Sequence, residues 1–182
     1  MLKAAYPWVK AGPLGLAMQD IDDFDPQPIE PDIRATLEAL ESRIPQVVEQ
    51  RQHRMAYFEA IQRMRLYFSH PPGGGANVQA AAAWPVMLQA EFMDDLSSHR
   101  PLALVILGYY AVILEEQKSR WWMRDQGRRL LIAVMEMLED KGEEWTSLLK
   151  TARQRLRPEA MYSILHFKTP KSLQGQLPGV ID

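Results

Sequence analysis

The feature that most constrains the fold is a run of uncharged, mostly apolar residues from Leu102 to Leu114, preceded by Arg100 and Pro101. It is long enough for about three and a half helical turns but shorter than the roughly 18 residues that suggest a membrane span. Proline suits the first turn of a helix, because its missing N–H would have no intrahelical partner there. A helix that is apolar on every side needs neighbours on every side. The run therefore predicts the buried central helix of a single all-α domain, from about Pro101 to Gln117.

Composition excludes several function classes. Of the 182 residues, 47% are apolar and 24% are charged, which is typical of one ordinary globular domain. The net charge of −2 gives no general electrostatic argument for nucleic-acid binding. The chain contains no cysteine, which excludes disulfides, zinc–cysteine clusters and thiol catalysis. Its first residues lack the apolar segment of a secretory signal, and we expect an intracellular protein without a membrane span or a cofactor.

Proline and glycine divide the chain into three parts. Residues 1–31 contain five prolines and an acidic run, which predict an extended N-terminal arm. Residues 32–168 show helical spacing in several segments, and they are predicted to form the helical domain. Residues 169–182 are rich in turn-forming residues and are predicted to be an irregular tail. No segment has the alternation of a strand.

Three details of these helices can be predicted. Pro45 is expected to interrupt the first helix, so that a second helix begins at about residue 46. Met55 and Phe58 are expected to face the core from that second helix. Glu115 and its neighbours Glu116 and Gln117 are expected to carry the end of the central helix into solvent.

The sequence offers no strong catalytic or metal-binding motif, and catalytic residues stay unassigned. No serine lies in a nucleophile elbow. The acidic pairs Asp94–Asp95 and Glu115–Glu116 are adjacent, and neighbouring helical residues point about 100° apart, so each pair is predicted to face solvent. The histidines are scattered without metal-ligand spacing, and no metal site is predicted: His53, His70, His99 and His166.

Two aromatic pairs allow two interpretations each. Trp121–Trp122 and Tyr109–Tyr110 can fill a core, since large aromatic side chains dominate cores. They can equally form a pocket wall, because pockets are lined by the same residue types that fill cores. The ten methionines add a slight bias towards adaptable apolar binding.

Three blocks of residues carry a resemblance to a known family. They are 84–86 with Phe92 and Leu96, then 100–107 with 110–112, then 121–122 with 127–131. In this order and spacing they resemble the C-terminal regulatory region of fungal zinc-cluster (Zn2Cys6) transcription factors, especially the group that includes the sterol-uptake regulators. The resemblance covers about residues 50 to 150. It implies an all-α regulatory domain and, in sterol-responsive members, a deep apolar pocket for a sterol.

The chain departs from that family in one decisive respect. The family reads DNA with a cluster of six cysteines, and this sequence has none. The expectation is therefore either an excised regulatory part or a free-standing protein that lost the DNA reader, and in both cases no direct nucleic-acid binding by this chain. Relatives of the resembled family act as dimers, so we also expect a homodimer.

The blocks and their residue types together predict an apolar pocket between the central helix and the segment 121–131. Its partner is expected to be a lipophilic small molecule that resembles a sterol or a terpenoid. Two other functions stay open: a cofactor-free cyclase or pericyclase of fungal secondary metabolism, which would act by orienting a terpenoid or polyene, and a dimerisation or partner-binding domain. The predicted ligand-binding residues are Tyr109, Tyr110, Ile113, Trp121, Trp122, Met123 and Leu131.

Overall fold

The computed structural model of the protein describes residues 27–70, 75–117 and 123–156. In these residues all regular structure is helical and no strand occurs, which confirms the predicted all-α class. The proposed arm and tail fall almost entirely outside the described residues, so the domain boundaries stay predictions. The helices are α1 (Pro31–Val47), α2 (Arg51–Phe68), α3 (Gly75–Val86), α4 (Ala90–Ser97), α5 (Pro101–Glu116), α6 (Gln126–Leu138), α7 (Glu143–Leu148) and α8 (Lys150–Arg155), with a short 3-10 helix at Glu139–Lys141.

Helix α5 is the centre of the fold, as its apolar run predicts. It contacts α1, α2, α4, α6, α7 and α8, and it packs most extensively against α6. Leu104 and Ile106 are fully buried, and Leu107 is half-buried. The neighbouring helices thus supply the cover on every side that an all-apolar helix requires.

The C-terminal end of α5 is more buried than predicted. Glu115 and Gln117 are only 7% and 5% exposed, and only Glu116 faces solvent. Arg128 on α6 forms an ion pair with Glu115 (3.2 Å), and the Gln117 amide donates a hydrogen bond to a buried tyrosine hydroxyl. The prediction was wrong at these two residues because polar side chains can stay in a core when they have partners there.

Pro45 does not interrupt α1, contrary to the prediction. It lies in the last turn, and the helix continues to Val47. A proline this close to a helix end removes one hydrogen bond near a terminus that frays in any case, so its cost is small. Helix α2 consequently begins at Arg51 rather than at residue 46.

The buried face of α2 differs from the predicted one at two residues. Met55 and Phe58 are 59% and 38% exposed, so both assignments were wrong. Tyr57 is buried instead, on a face that also carries the small residues Ala56 and Ala60. The full buried set is Ala56, Tyr57, Ala60, Ile61, Met64 and Tyr67.

A sharp turn joins α4 to α5. His99 adopts a left-handed conformation (φ 52°), and the Arg100 N–H donates to the Asp95 carbonyl (3.0 Å), which is the pattern of a Schellman cap. Helices α4 and α5 meet at 102°.

Within the described residues no single helix is long and apolar enough to cross a membrane; α4 and α5 pass such a test of length and composition only as this bent pair.

Candidate functional site

The two tyrosines in the middle of α5 reach different neighbours. The Tyr109 hydroxyl donates to the Leu148 carbonyl on α7 (2.6 Å), and the Tyr110 hydroxyl donates to the Ala81 carbonyl on α3 (2.9 Å). The ring of Trp84 stacks on Tyr110 with centroids 4.6 Å apart. Burial raises the pKa of both phenols, that of Tyr110 to about 12. Both hydroxyls are therefore neutral donors that already have main-chain acceptors.

The other residues of the predicted wall divide into two groups. Ile113 and Leu131 are fully buried members of the main core, and Met123 is half-buried against it. Trp121 and Trp122 lie outside the described residues. The structure therefore gathers part of the predicted wall around the same core, and the pocket itself stays a prediction.

The contact between α5 and α6 is very close at one residue. A Cβ atom on Gly127 would lie 2.5 Å from the Ala111 carbonyl oxygen and 2.8 Å from the Glu115 nitrogen, both on the backbone of α5. Only a residue without a side chain allows this approach. A ligand at the predicted wall would consequently have to lie beside this contact rather than within it.

An open cleft of about 260 Å³ lies where the α1–α2 junction faces the α4–α5 turn. Its apolar surface comes from Val48, Pro101, Leu102 and the indole of Trp145 on α7. A guanidinium lies over that indole, since Arg43 on α1 is 5.5 Å from the ring centroid. The cleft is smaller than the roughly 300–1,000 Å³ of pockets for drug-sized ligands.

Two polar side chains of this cleft form a pair, and a third polar side chain lies near the same carboxylate. His53 Nδ1 lies 3.1 Å from Asp95 Oδ2, and both side chains are mostly buried. Burial first, and then the negative charge of the nearby Asp95, raises the pKa of the Tyr57 hydroxyl well above its usual range. Tyr57 is held in place by an edge-to-face contact with Phe92 (5.0 Å). Asp95 is thus mostly buried and paired with His53, and the prediction that it faces solvent was wrong.

Arg100 contributes a cationic group to the cleft. It precedes α5, is exposed, and lines the cleft beside the Asp95 network. No described residue forms an ion pair with its guanidinium. Its charge is therefore available to a bound group.

A second polar cluster lies at the other end of α5, next to a cavity of about 70 Å³. The Tyr67 hydroxyl donates to the Glu116 carboxylate (3.0 Å) and accepts a hydrogen bond from Gln117 (2.9 Å). Desolvation raises the pKa of the Tyr67 hydroxyl well above its usual range. The cluster is small and internally bonded, so its arrangement serves to fix the end of α5.

Next to this cluster, Arg155 ties the last described helix to the start of α1. Its Nε and Nη2 atoms donate to both carboxylate oxygens of Asp32 at 2.7–3.0 Å, and Nη2 also contacts Glu30. The hydrogen bonds from Arg155 hold the pKa of the Asp32 carboxyl below its usual range. This arrangement closes the helical bundle, since α1 and α8 are far apart in sequence.

The His53–Asp95 pair could not be predicted from the sequence, for a physical reason. The two residues are 42 positions apart on different helices, and no local motif connects them. The one available signal was that each lies near a helix junction, which is where clefts between helices open. In the part of the chain that the structure describes, no group of three or more His, Asp or Glu residues is placed to hold a metal ion.

Comparison with known proteins gives one partial similarity. Over 74 residues, 40% of this chain, the sequence is 28% identical to a Zn(2)-C6 fungal-type transcription factor of Gibberella zeae. The chain is thus similar to part of a fungal zinc-cluster transcription factor. The matched stretch covers 15% of that relative's length. No family profile matches the chain, and no solved structure matches it significantly.

This similarity agrees with the resemblance at the level of the protein class. Because the chain has no cysteine, none of the identities can come from the cysteine ligands of a zinc cluster.

Proposed function

We propose that this chain is a helical regulatory domain of the fungal zinc-cluster transcription-factor type, which responds to a lipophilic small molecule and does not itself bind DNA. The similarity to the Gibberella zeae transcription factor carries the proposal. The all-α packing around α5 also supports a helical regulatory domain. Two features of the sequence argue against DNA binding: it has no cysteine for a zinc cluster, and it has no excess of positive charge. A DNA interface needs such an excess to neutralise several phosphates.

The proposed ligand is sterol-like or terpenoid-like, and its site is the predicted wall on α5 and the segment 121–131. Ile113 and Leu131 would supply apolar contact, and Met123 is an adaptable side chain at the border of the core. Because the Tyr109 and Tyr110 hydroxyls already have acceptors, a ligand oxygen would compete with main-chain carbonyls for these donors. Trp121 and Trp122 have indole N–H groups that could serve instead.

Thermal unfolding with added lipids tests the ligand. Ergosterol and farnesol, each added in detergent, are the probes, with matched detergent as the blank. A ligand present at about 100 times its Kd stabilises by about 2.7 kcal/mol, which raises the Tm of a chain of this size by roughly 5–10 °C. Met123→Ala should reduce this shift, whereas Met137→Ala, a half-buried methionine on α6, should not. The absence of any shift with both probes would contradict lipid binding.

A separate experiment tests regulation. The chain is fused to an unrelated DNA-binding domain in yeast, and reporter transcription is measured with and without added or depleted sterol. A regulatory domain should change the reporter level, and the Met123→Ala variant should respond less. A fusion whose activity is the same as that of the DNA-binding domain alone would contradict the proposal.

One observation favours a second function, pairing of two chains. Met55, Phe58 and Leu66 are exposed by 59%, 38% and 41% on α2. A stripe of exposed apolar side chains at helical spacing is suited to covering by another helix. Light scattering should then give twice the monomer mass, and Phe58→Glu should reduce it while Gln126→Glu, at an exposed position on α6, should not. A monomer at high concentration would contradict pairing.

A further inference from the structure

We propose that the cleft between the α1–α2 junction and the α4–α5 turn is a binding site for a small apolar carboxylic acid. This site is separate from the predicted lipid wall, and the inference does not rest on the proposed function. It rests on the volume of the cleft, the division of its surface into apolar and polar parts, and the balance of charges along that surface.

The volume limits the size of the ligand. At about 260 Å³ the cleft lies below the range of drug-sized pockets. A sterol skeleton would not be enclosed by it, but an aromatic ring with a short alkyl chain would. The apolar part of the surface, formed by Val48, Pro101, Leu102 and Trp145, is suited to such a ring.

The charges indicate the sign of the polar group. Asp95 is the more buried of the two acidic residues of the cleft, and it is already paired with His53. Glu49 also lines the cleft but is exposed, so solvent and salt weaken its repulsion. Arg100 is the cation of the cleft that forms no ion pair with any described residue. An anionic group on the ligand would complete this arrangement.

The guanidinium of Arg100 is suited to a carboxylate. Its planar fork of N–H donors matches the two oxygens of a carboxylate, and such charge-assisted pairs are stronger than neutral hydrogen bonds. Recognition would therefore combine an apolar contact with Trp145 and an ionic contact with Arg100.

A matched pair of probes tests the proposal on the whole 182-residue chain. The ¹⁵N-labelled protein is titrated with 4-phenylbutanoate and with the uncharged 4-phenylbutanamide at millimolar concentrations, and the Trp145 indole and Leu102 amide resonances are followed. We expect both resonances to shift when 4-phenylbutanoate is added. We expect 4-phenylbutanamide to bind about tenfold more weakly, because it cannot form the charge-assisted contact with Arg100.

Variants separate the ionic contact from general attraction. Arg100→Gln should weaken binding of the acid about tenfold and remove the preference over the amide, while Arg100→Lys should keep part of it. Arg129→Gln, which removes an exposed arginine on α6 and changes the net charge equally, should bind as the wild type does. Equal affinity for acid and amide in the wild type, no shift at Trp145, or an equal loss in Arg129→Gln would each overturn the proposal.

Discussion

Gly127→Ala should loosen the contact between α5 and α6 and lower the stability of the whole bundle. The added Cβ would lie 2.5 Å from the Ala111 carbonyl oxygen, where ordinary contact needs at least 3.4 Å. Neither that oxygen nor the Glu115 nitrogen at 2.8 Å can move without moving α5 itself. Helix α6 would therefore have to retreat by about 1 Å, which forfeits dispersion contacts along its buried face.

Two opposing terms set the magnitude. Overpacking of this kind costs about 1–3 kcal/mol. Alanine gains up to about 1 kcal/mol over glycine in a helix interior, but Gly127 lies in the first turn of α6, where this gain is smaller. The clash is larger than the gain, and we expect a net loss of about 1–2 kcal/mol, or a fall in Tm of roughly 2–8 °C.

Gly108→Ala is a matched comparison on the facing helix. Its Cβ would lie 2.5 Å from Leu149 Cδ2, the end of a side chain that can rotate away. Gly108 is in the middle of α5, so the helix gains the full propensity of alanine. We therefore expect a change within about 1 kcal/mol of the wild type.

Urea unfolding followed by circular dichroism measures both variants, with the slope m as a check that the extent of unfolding is unchanged. A Gly127→Ala variant as stable as the wild type, or a larger loss in Gly108→Ala than in Gly127→Ala, would contradict the expected clash.

Three further changes test other parts of the fold. Arg155→Gln should lower stability by at most about 1 kcal/mol, since solvent screens the Arg155–Asp32 pair. Because Arg155 depresses the pKa of Asp32, this stabilisation should be full above about pH 4 and fade as the pH falls through the folded-state pKa of Asp32. Urea midpoints near neutral pH and near pH 3 would show this difference. His99→Gly should raise the free energy of unfolding by about 0.5–1 kcal/mol, because glycine relieves the left-handed backbone (φ 52°) but loses more entropy on folding; an unchanged or lower value would argue against strain there. Tyr110→Phe should cost about 1–2 kcal/mol by leaving the Ala81 carbonyl without its donor, and a neutral result in thermal unfolding would mean that the carbonyl finds another partner.

The sequence determined the fold class and its central element. The uncharged run after Pro101 is too long for a loop and too apolar for a surface, and it forms the buried helix α5 as predicted. The all-α class follows from the same kind of local information, since helical spacing and the positions of proline and glycine depend on residues close together in the chain. Local rules were less successful for the faces of the helices: on α2 the large residues Met55 and Phe58 are exposed, whereas Tyr57 is buried.

Only the tertiary structure decided which polar residues meet. Glu115 is buried because Arg128, on the next helix, pairs with it. The cleft exists because two helix junctions face each other, which brings His53 within 3.1 Å of Asp95 across 42 residues of sequence. Such pairs depend on how whole helices cross, and packing sets that crossing through close contacts such as the one at Gly127. The periodicity of a single helix shows which of its faces is apolar, but the partner that covers the face is fixed only when the entire bundle packs.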